Sequence, residues 1–345
     1  MDLPVIDVGP LRDGRATGRG PEVGDVVRRL DRACRDVGFF YVVGHGVDPG
    51  LLDRLDRLAR EFFARPEGEK AAVAMARGGR AWRGWFPLGG ELTSGVPDGK
   101  EGFYFGAELG PDHPRVAAGV PLHGPNLFPD RPAGLRPAVL ATLDALTDLG
   151  HVLARGTALA LGLPPGWFAE HLTADPTVLF RLFRYPARPP AAGPATGWGV
   201  AEHTDYGLLT ILHQDATGGL EVRTPAGGWV AAPPVPGAFV CNLGDMLERM
   251  TGGLYRSTPH RVRPPDPVAA PPGGRVSAAF FFDPSWDAEV ARIPLPEAPD
   301  RPDGGGGPPR WDGASVHDLT GTYGDYLLAK VAKVFPTLGR DVLDG

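Results

Sequence analysis

The sequence predicts an α+β protein, helical in its N-terminal half and β-rich in its C-terminal half. Three observations lead there. Apolar residues recur every three or four positions between residues 22 and 63 and again between 139 and 161, the period of an amphipathic helix. From Val178 the pattern changes to short β-branched and aromatic runs, among them VLFRLFRYP, GLLTILHQD, AFVCNLG and RVSAAFFFD, with Gly, Pro and Asp between them. Many short strands broken by such turns read as a sandwich or barrel. The chain has 345 residues, 42% of them hydrophobic and 22% charged, which is enough to bury a sizeable core. No internal repeat is visible. The halves, residues 1–130 and 131–345, are expected to pack as one unit.

In chain order, Val5-Ile6-Asp7 reads as a short first strand. A helix follows from Glu22 to Val37, with Val23, Val26, Leu30, Ala33 and Cys34 on its apolar face, and Gly38 stops it. Phe39 to Val43 is a strand. Pro49 opens a second helix whose face is Leu51, Leu52, Leu55, Leu58, Phe62 and Phe63, and Pro66 ends it. Arg77 to Gly106 has little periodicity; Arg77, Arg80, Trp82, Arg83, Trp85 and Phe86 crowd among glycines. Such a segment reads either as a long loop beside the functional site, with the three arginines selecting substrate, or as a solvated surface loop. Pro114 to Pro137 is a proline-rich connection. A long helix spans Val139 to Leu161, is terminated by Gly162 and Pro164, and should back the sheet. The GGLEVRT, GWVAAPP and RSTPHRV stretches supply further strands. Ile293 to Arg310 is low-complexity and reads as a flexible loop. Ser315 opens a final helix packed by Tyr323, Tyr326, Leu327, Val331 and Val334.

Composition also excludes several classes. A net charge of −6 gives no electrostatic case for nucleic acid or an anionic membrane. Cys34 and Cys241 are the only cysteines, so there is neither a disulfide framework nor a cysteine metal site. Cys241, inside AFVCNLG, reads as a small buried hydrophobe. No run of 18 apolar residues exists. MDLPVIDVGPL lacks the basic and long apolar regions of a signal peptide, so a reducing cytoplasm is the expected compartment.

The chemistry concentrates in AEHTDYGLLTILHQD, residues 201–215. In an extended chain residues i and i+2 point to the same side, so His203 and Asp205 can reach one point in space. His260, in RSTPHRV, offers a third ligand. Two imidazoles and one carboxylate on one face of an octahedral ion leave open positions, the facial arrangement of non-haem Fe(II) oxygenases, whereas zinc favours a closed tetrahedral set. Arg275 and Ser277 form a second i, i+2 pair, a guanidinium fork for a carboxylate with a hydroxyl beside it. His-x-Asp or Arg-x-Ser alone arises by chance in many chains; it is their joint occurrence on strand-like sequence that is specific. His213 has no partner pattern and reads as an ordinary strand residue, and the remaining histidines as structural.

These segments resemble the 2-oxoglutarate and Fe(II)-dependent dioxygenase superfamily, in the branch that includes isopenicillin N synthase. PVIDVGPL, GFFYVVGHGV, DGKEGFYFG and GPNLFP resemble its N-terminal region. FRYP, HTDYGLLTIL, GGLEV, GDMLERMTGGLYRSTPHRV and RVSAAFFFDP resemble its catalytic core. The resemblance covers nearly the whole chain. It implies a double-stranded β-helix, or jelly roll, flanked by helices. It also implies Fe(II) on His203, Asp205 and His260, and a co-substrate carboxylate held by Arg275 and Ser277 with help from Tyr185. Phe183-Arg184-Tyr185-Pro186 replaces the Asn-Tyr-Tyr-Pro of many plant members, which does not support a plant-like substrate.

The implied activity couples decarboxylation of 2-oxoglutarate by O₂ to oxidation of a small molecule, with hydroxylation the default and a bacterial natural product a conceivable substrate. An intact Asp205 disfavours halogenation. Isopenicillin N synthase keeps an Arg-x-Ser for its own substrate, so an oxidase that does not use 2-oxoglutarate is the alternative. An inactive jelly-roll binding module is the third reading. The substrate pocket should be lined by parts of Arg77 to Phe105, by Phe281 or Phe282, and by the segment after Trp286.

Overall fold

The period-two runs become two sheets in the computed structural model, which describes residues 2–13, 20–93, 95–187, 197–295 and 320–335. The N-terminal half comprises β1 (Val5–Asp7), α1 (Gly9–Asp13), α2 (Pro21–Asp36), β2 (Phe39–Val43), α3 (Pro49–Phe63) and α4 (Glu67–Lys70). Tight 3-10 turns lead into β3 (Gly84–Phe86), β4 (Leu92–Thr93), β5 (Val96–Pro97) and β6 (Glu101–Gly106). Then come α5 (Pro114–Ala117), α6 (Leu135–Ala160) and α7 (Trp167–His171). The β half contains β7 (Pro176–Tyr185), β8 (Val200–His203), β9 (Leu209–Gln214), β10 (Leu220–Arg223), β11 (Trp229–Ala231) and β12 (Phe239–Leu243). After α8 (Asp245–Met250) it continues with β13 (His260–Val262) and β14 (Arg275–Ser285), and α9 (Tyr323–Val334) follows.

The larger sheet has eight strands in the order β1-β2-β12-β9-β14-β7-β6-β3, and the smaller has four, β11-β10-β13-β8. From β7 to β10 the chain steps from one sheet to the other at every strand, and β12, β13 and β14 do so again. That winding is the double-stranded β-helix. Its pairings are antiparallel, and the parallel β1–β2 pair extends the edge. The N-terminal region is therefore hydrogen-bonded into the same sheet as the jelly-roll strands, through β2 on one side and β6 on the other.

Alternation divides the large sheet. Val178, Phe180 and Leu182 of β7 and Val276, Ala278, Phe280 and Phe282 of β14, all even-numbered, are buried in the core. There α6 lies against the sheet: a Cβ on Gly150 would stand 2.3 Å from a Phe282 ring carbon, so only glycine permits this approach. The helix begins at Leu135, four residues before its expected start, because Pro137 in a first turn forgoes a hydrogen bond that the helix could not make anyway. At the other end of the fold, Gly38 turns from α2 into β2 at φ +70°.

The segment from Arg77 to Gly106 is not the irregular loop its composition predicts. β3 and β6 pair with each other, and β6 pairs with β7, so the large sheet grows by two strands whose residues are all buried. Glycines at 84, 102 and 106 mask the alternation of Trp85, Phe86, Phe103, Tyr104 and Phe105. Ser315, and the low-complexity run beyond residue 295, lie outside the described residues. The described last helix starts at Tyr323, where Thr322 and Asp325 form a capping box. Among the described residues no helix is long and apolar enough to cross a membrane.

Helix α9 is tied to the barrel by buried bonds: Tyr323 Oη donates to Asp283 Oδ2 at 2.5 Å, and Tyr326 Oη to Asp245 Oδ2 at 3.3 Å. Asp283 Oδ1 accepts from the Leu208 amide at 3.2 Å. Burial pushes the Asp283 carboxyl up to about 7 despite both bonds. A carboxyl raised on folding favours the protonated native state, so its contribution is complete below the unfolded value, about 3.9, and is lost as pH rises through the folded value. Asp283→Asn keeps the shape without the charge. In the metal-free protein the stability of Asp283→Asn relative to wild type should therefore rise between about pH 4 and pH 7 and level off above, read by urea denaturation. A difference that stays flat with pH would show that Asp283 does not titrate in this range.

Candidate metal centre

Strands β8 and β13 pair so that His203 and His260 stand directly opposite each other, with ring centroids 4.2 Å apart. Asp205 lies two residues further on, just past the end of β8 rather than inside an extended strand as the sequence predicts. Its carbonyl accepts the Asp245 amide at 2.7 Å, which fastens it to the start of α8. Asp205 Oδ1 is 3.9 Å from His203 Nε2 and 3.8 Å from His260 Nε2. One donor atom from each of the three residues lies within 4.8 Å of the others.

Neighbouring groups orient each donor. His203 Nδ1 is 2.8 Å from the Ala201 carbonyl and His260 Nδ1 is 3.1 Å from that of Thr258. A carbonyl only accepts, so each Nδ1 carries the proton and each Nε2 offers its lone pair to the cluster. Thr210 Oγ1 at 2.5 Å and Asn242 Nδ2 at 2.7 Å both donate to Asp205 Oδ2. That leaves Oδ1 free toward the imidazoles. Burial, and then the neighbouring His260, push His203 down to about 3. His203 is therefore neutral near pH 7, and its contact with Asp205 is ligand geometry, not an ion pair. Burial opposes the charge on Asp205, but His260, His203 and the bonds from Asn242 and Thr210 outweigh it and hold the carboxyl below its usual value. Two imidazoles and a carboxylate are the donor set that a six-coordinate Fe(II) accepts with positions to spare.

Arg275 sits on β14 opposite Tyr185 of β7, with its guanidinium carbon 4.7 Å from the ring centroid. It is 1% exposed. Its Nη groups donate to Ser277 Oγ and to Gln214 Oε1, both at 3.3 Å, and its Nε has no partner. Among the described residues no carboxylate reaches Arg275. A buried cation with only neutral, long-range partners is costly unless a ligand completes it. The residues present thus fit a bound carboxylate.

Odd-numbered residues of β7 from Leu179 to Tyr185 and of β14 from Arg275 to Asp283 face one cavity, which the three candidate ligands also line. The cavity wall includes Phe281, whereas Phe282 packs on the other side against His151. Of the Arg77 to Phe105 segment, Glu91, Thr93 and Lys100 reach the cavity. The expected arginines do not: Arg80 donates to the Gly119 carbonyl and Arg83 to that of Leu122. Helix α9 contributes Leu327, Lys330 and Val334. His213 points away, its ring near Phe239. Sequence reasoning missed Thr210, Asn242, Gln214 and Arg181. The available signal was a polar residue inside an otherwise apolar strand, as with Asn242 in AFVCNLG or Arg181 in VLFRLFRY.

Comparison with known proteins agrees with this geometry. Residues 3–131 match the family model described as non-haem dioxygenase in morphine synthesis N-terminal, and residues 177–284 match that of the 2OG-Fe(II) oxygenase superfamily. A probable iron/ascorbate oxidoreductase of Dictyostelium discoideum is 42% identical over 99% of this chain and 97% of its own. A homoarginine-6-hydroxylase of Arabidopsis thaliana is 36% identical, over 96% of this chain and 97% of its own. The crystal structure of a full-length Neurospora crassa protein in complex with alpha-KG superposes with a TM-score of 0.76 at 25% identity, covering 96% of each chain.

Groups that only orient a metal ligand typically contribute about 10- to 100-fold in metal affinity. Thr210→Val and Asn242→Leu should each weaken Fe(II) binding by about that factor while leaving the far-ultraviolet circular dichroism unchanged. Anaerobic competition against a calibrated chelator measures it. Wild-type affinity in both variants would mean that Asp205 needs no such support.

Proposed function

The chain belongs to the 2-oxoglutarate and Fe(II)-dependent dioxygenase superfamily, in its isopenicillin N synthase-like branch, and on that premise we propose which residues perform each part of the reaction and what kind of substrate they serve. The chain is an oxidoreductase of the 2OG-Fe(II) oxygenase superfamily, which implies Fe(II), 2-oxoglutarate and O₂ as its cofactor and co-substrates. In our reading His203, Asp205 and His260 hold the iron, and Arg275 with Ser277 receives the distal carboxylate of 2-oxoglutarate. The observation that carries this is the buried, carboxylate-free guanidinium of Arg275 in the same cavity as the three donor atoms. When bound, iron and keto acid supply the oxidative decarboxylation to succinate and CO₂ and the oxidising power that removes hydrogen from a substrate.

The chain's own groups position and protect. Backbone carbonyls at Ala201 and Thr258 fix both imidazole planes, and Thr210 and Asn242 fix the carboxylate. The ring of Tyr185 backs Arg275 so that its N–H fork faces the cavity. Leu212, Leu220 and Val262 keep the inner wall apolar, and Leu327 and Val334 of α9 cover another part of it. Exclusion of water strengthens the Arg275 contact and protects reactive species from quenching. The substrate is a small molecule and the outcome hydroxylation; the relative named homoarginine-6-hydroxylase supports both. Two buried thiols, Cys34 and Cys241, and an oxidisable iron fit the cytoplasm.

Removing one partner of a buried, hydrogen-bonded ion pair costs roughly 3–5 kcal/mol. At about 1.4 kcal/mol per tenfold, Arg275→Ala should weaken 2-oxoglutarate by on the order of 100-fold or more. Arg275→Lys should fall between, since it keeps charge but loses the fork. Ser277→Ala should be milder, and iron content should match wild type in all three. Anaerobic titration of the Fe(II) protein, followed through the charge-transfer absorption of the chelate, reads the affinity. An Arg275→Ala protein that binds 2-oxoglutarate like wild type would remove the assignment.

A further inference from the structure

The cavity wall holds a second, largely buried arginine that the reaction as outlined leaves idle. Arg181 lies on β7 four residues before Tyr185, on the same sheet face as the rung carrying Arg275. At about 3.4 Å per residue the two rungs are on the order of 13 Å apart. Its guanidinium carbon stands between two rings, 4.3 Å from the Tyr104 centroid and 4.7 Å from that of Phe281. Those rings hold a cation but satisfy none of its N–H groups in the ring plane. Nε is sealed from solvent without a partner. Among the described residues Arg181 donates no hydrogen bond.

Its nearest carboxylate does not answer for this. Glu91 Oε1 is 3.7 Å from Nη1, beyond hydrogen-bond reach. Glu91 is also engaged more closely elsewhere: Lys100 Nζ is 2.8 Å from Oε2, and Tyr104 donates its hydroxyl to Oε1. Lys100 is in turn shared with Asp98. Lys330 of α9 adds a further cation to the cavity wall. A guanidinium never gives up its proton in a protein, so one that is largely buried, with Nε sealed and no hydrogen bond made, is an incomplete site. A neutral carbonyl would fill one or two donors and leave the charge. A carboxylate meets the planar fork with two parallel bonds and cancels the charge as well.

We propose that Arg181 anchors a carboxylate of the organic substrate, and that the enzyme oxidises small organic acids held between this arginine and the metal. The proposal rests on the assignment of Arg275 to 2-oxoglutarate, which leaves Arg181 for the second molecule. Arg181 is then a specificity residue: it selects an acid over its neutral analogue and sets which carbon, at a fixed distance from the carboxylate, faces the oxidant.

The test uses the full-length protein loaded anaerobically with Fe(II) and 2-oxoglutarate. Probes are L-homoarginine, 1-aminocyclopropane-1-carboxylate and a series of aryl and aliphatic acetates, each beside its carboxamide. Binding is read as a perturbation of the chelate absorption, and turnover as stimulated succinate release. At least one acid should bind wild type on the order of 100-fold tighter than its amide, the loss expected when one partner of a buried charge pair is missing. Arg181→Gln should abolish that preference, Arg181→Lys should restore part of it, and 2-oxoglutarate affinity should change less than about threefold in both. The proposal is overturned if no acid binds at millimolar concentration, if acid and amide bind alike, or if Arg181→Gln keeps the preference. A chelate band that survives while the acids fail indicts Arg181 alone. A wild type with no band indicts the 2-oxoglutarate reading beneath it.

Discussion

The register between β14 and β7 is the constraint on which the rest of the structure depends. It sets Arg275 against Tyr185, Ser277 against Phe183 and Phe281 against Leu179. Strand alternation then sends the odd-numbered residues from Leu179 to Tyr185 and from Arg275 to Asp283 into the cavity, and Val178, Phe180, Leu182, Val276, Ala278, Phe280 and Phe282 into the core. A slip of one residue would exchange the faces, burying Arg275 against α6 and opening Phe280 and Phe282 to the cavity. The apolar face prevents this: Phe180, Phe280 and Phe282 are fully buried, and Phe282 fits against Gly150. The same packing that stabilises the barrel therefore holds the chemistry in place, and the small sheet needs only to bring His203 and His260 opposite it.

Much of this was legible in the sequence because its signals are local. Period three-to-four marked α2, α3 and α6, and β2 fell on its expected residues, since helix and strand faces are written in short windows. His203, Asp205 and His260 were readable as a set because each residue type already limits the chemistry it can perform. Arg275 and Ser277 were readable because an i, i+2 pair on a strand must share a face. What was not legible depends on distant partners. Arg80 and Arg83 look like substrate residues in sequence, but their partners at Gly119 and Leu122 arrive from a connection nearly forty residues on. Glycines inside β3 and β6 hid two strands whose burial comes from β7 and the helices. The Phe-Arg-Tyr-Pro departure from the plant motif did not separate this chain from a plant hydroxylase that it resembles along most of its length. A change at Arg184 does not reach the cavity wall, since Arg184 turns outward to Glu101 and the Gly273 carbonyl.

Natural cores avoid buried polar groups whose bonding is incomplete, and violations of that rule concentrate where function requires them. Three such places meet in this cavity. The histidine pair keeps two lone pairs aimed at one point, Arg275 keeps a cation among neutral groups, and Arg181 keeps its donors between two rings. Each costs stability in the ligand-free protein, and on the proposed reading a ligand of definite charge relieves it. On the proposed reading, a metal cation completes the cavity at one point and organic anions complete it at others. This also explains why α9 is held by a buried Tyr323–Asp283 bond: closing that side keeps the dielectric low enough for the charges to matter.

Recognition of the far carboxylate of the keto acid by Arg275 is tested most directly by comparing 2-oxoglutarate with 2-oxovalerate, which has the same chelating end and a methyl group in place of that carboxylate. Both are titrated into the anaerobic Fe(II) protein. 2-Oxoglutarate is expected to bind tighter by on the order of 100-fold, because only it pairs the buried guanidinium. Equal affinities would contradict this, since the arginine would then be buried for some other reason.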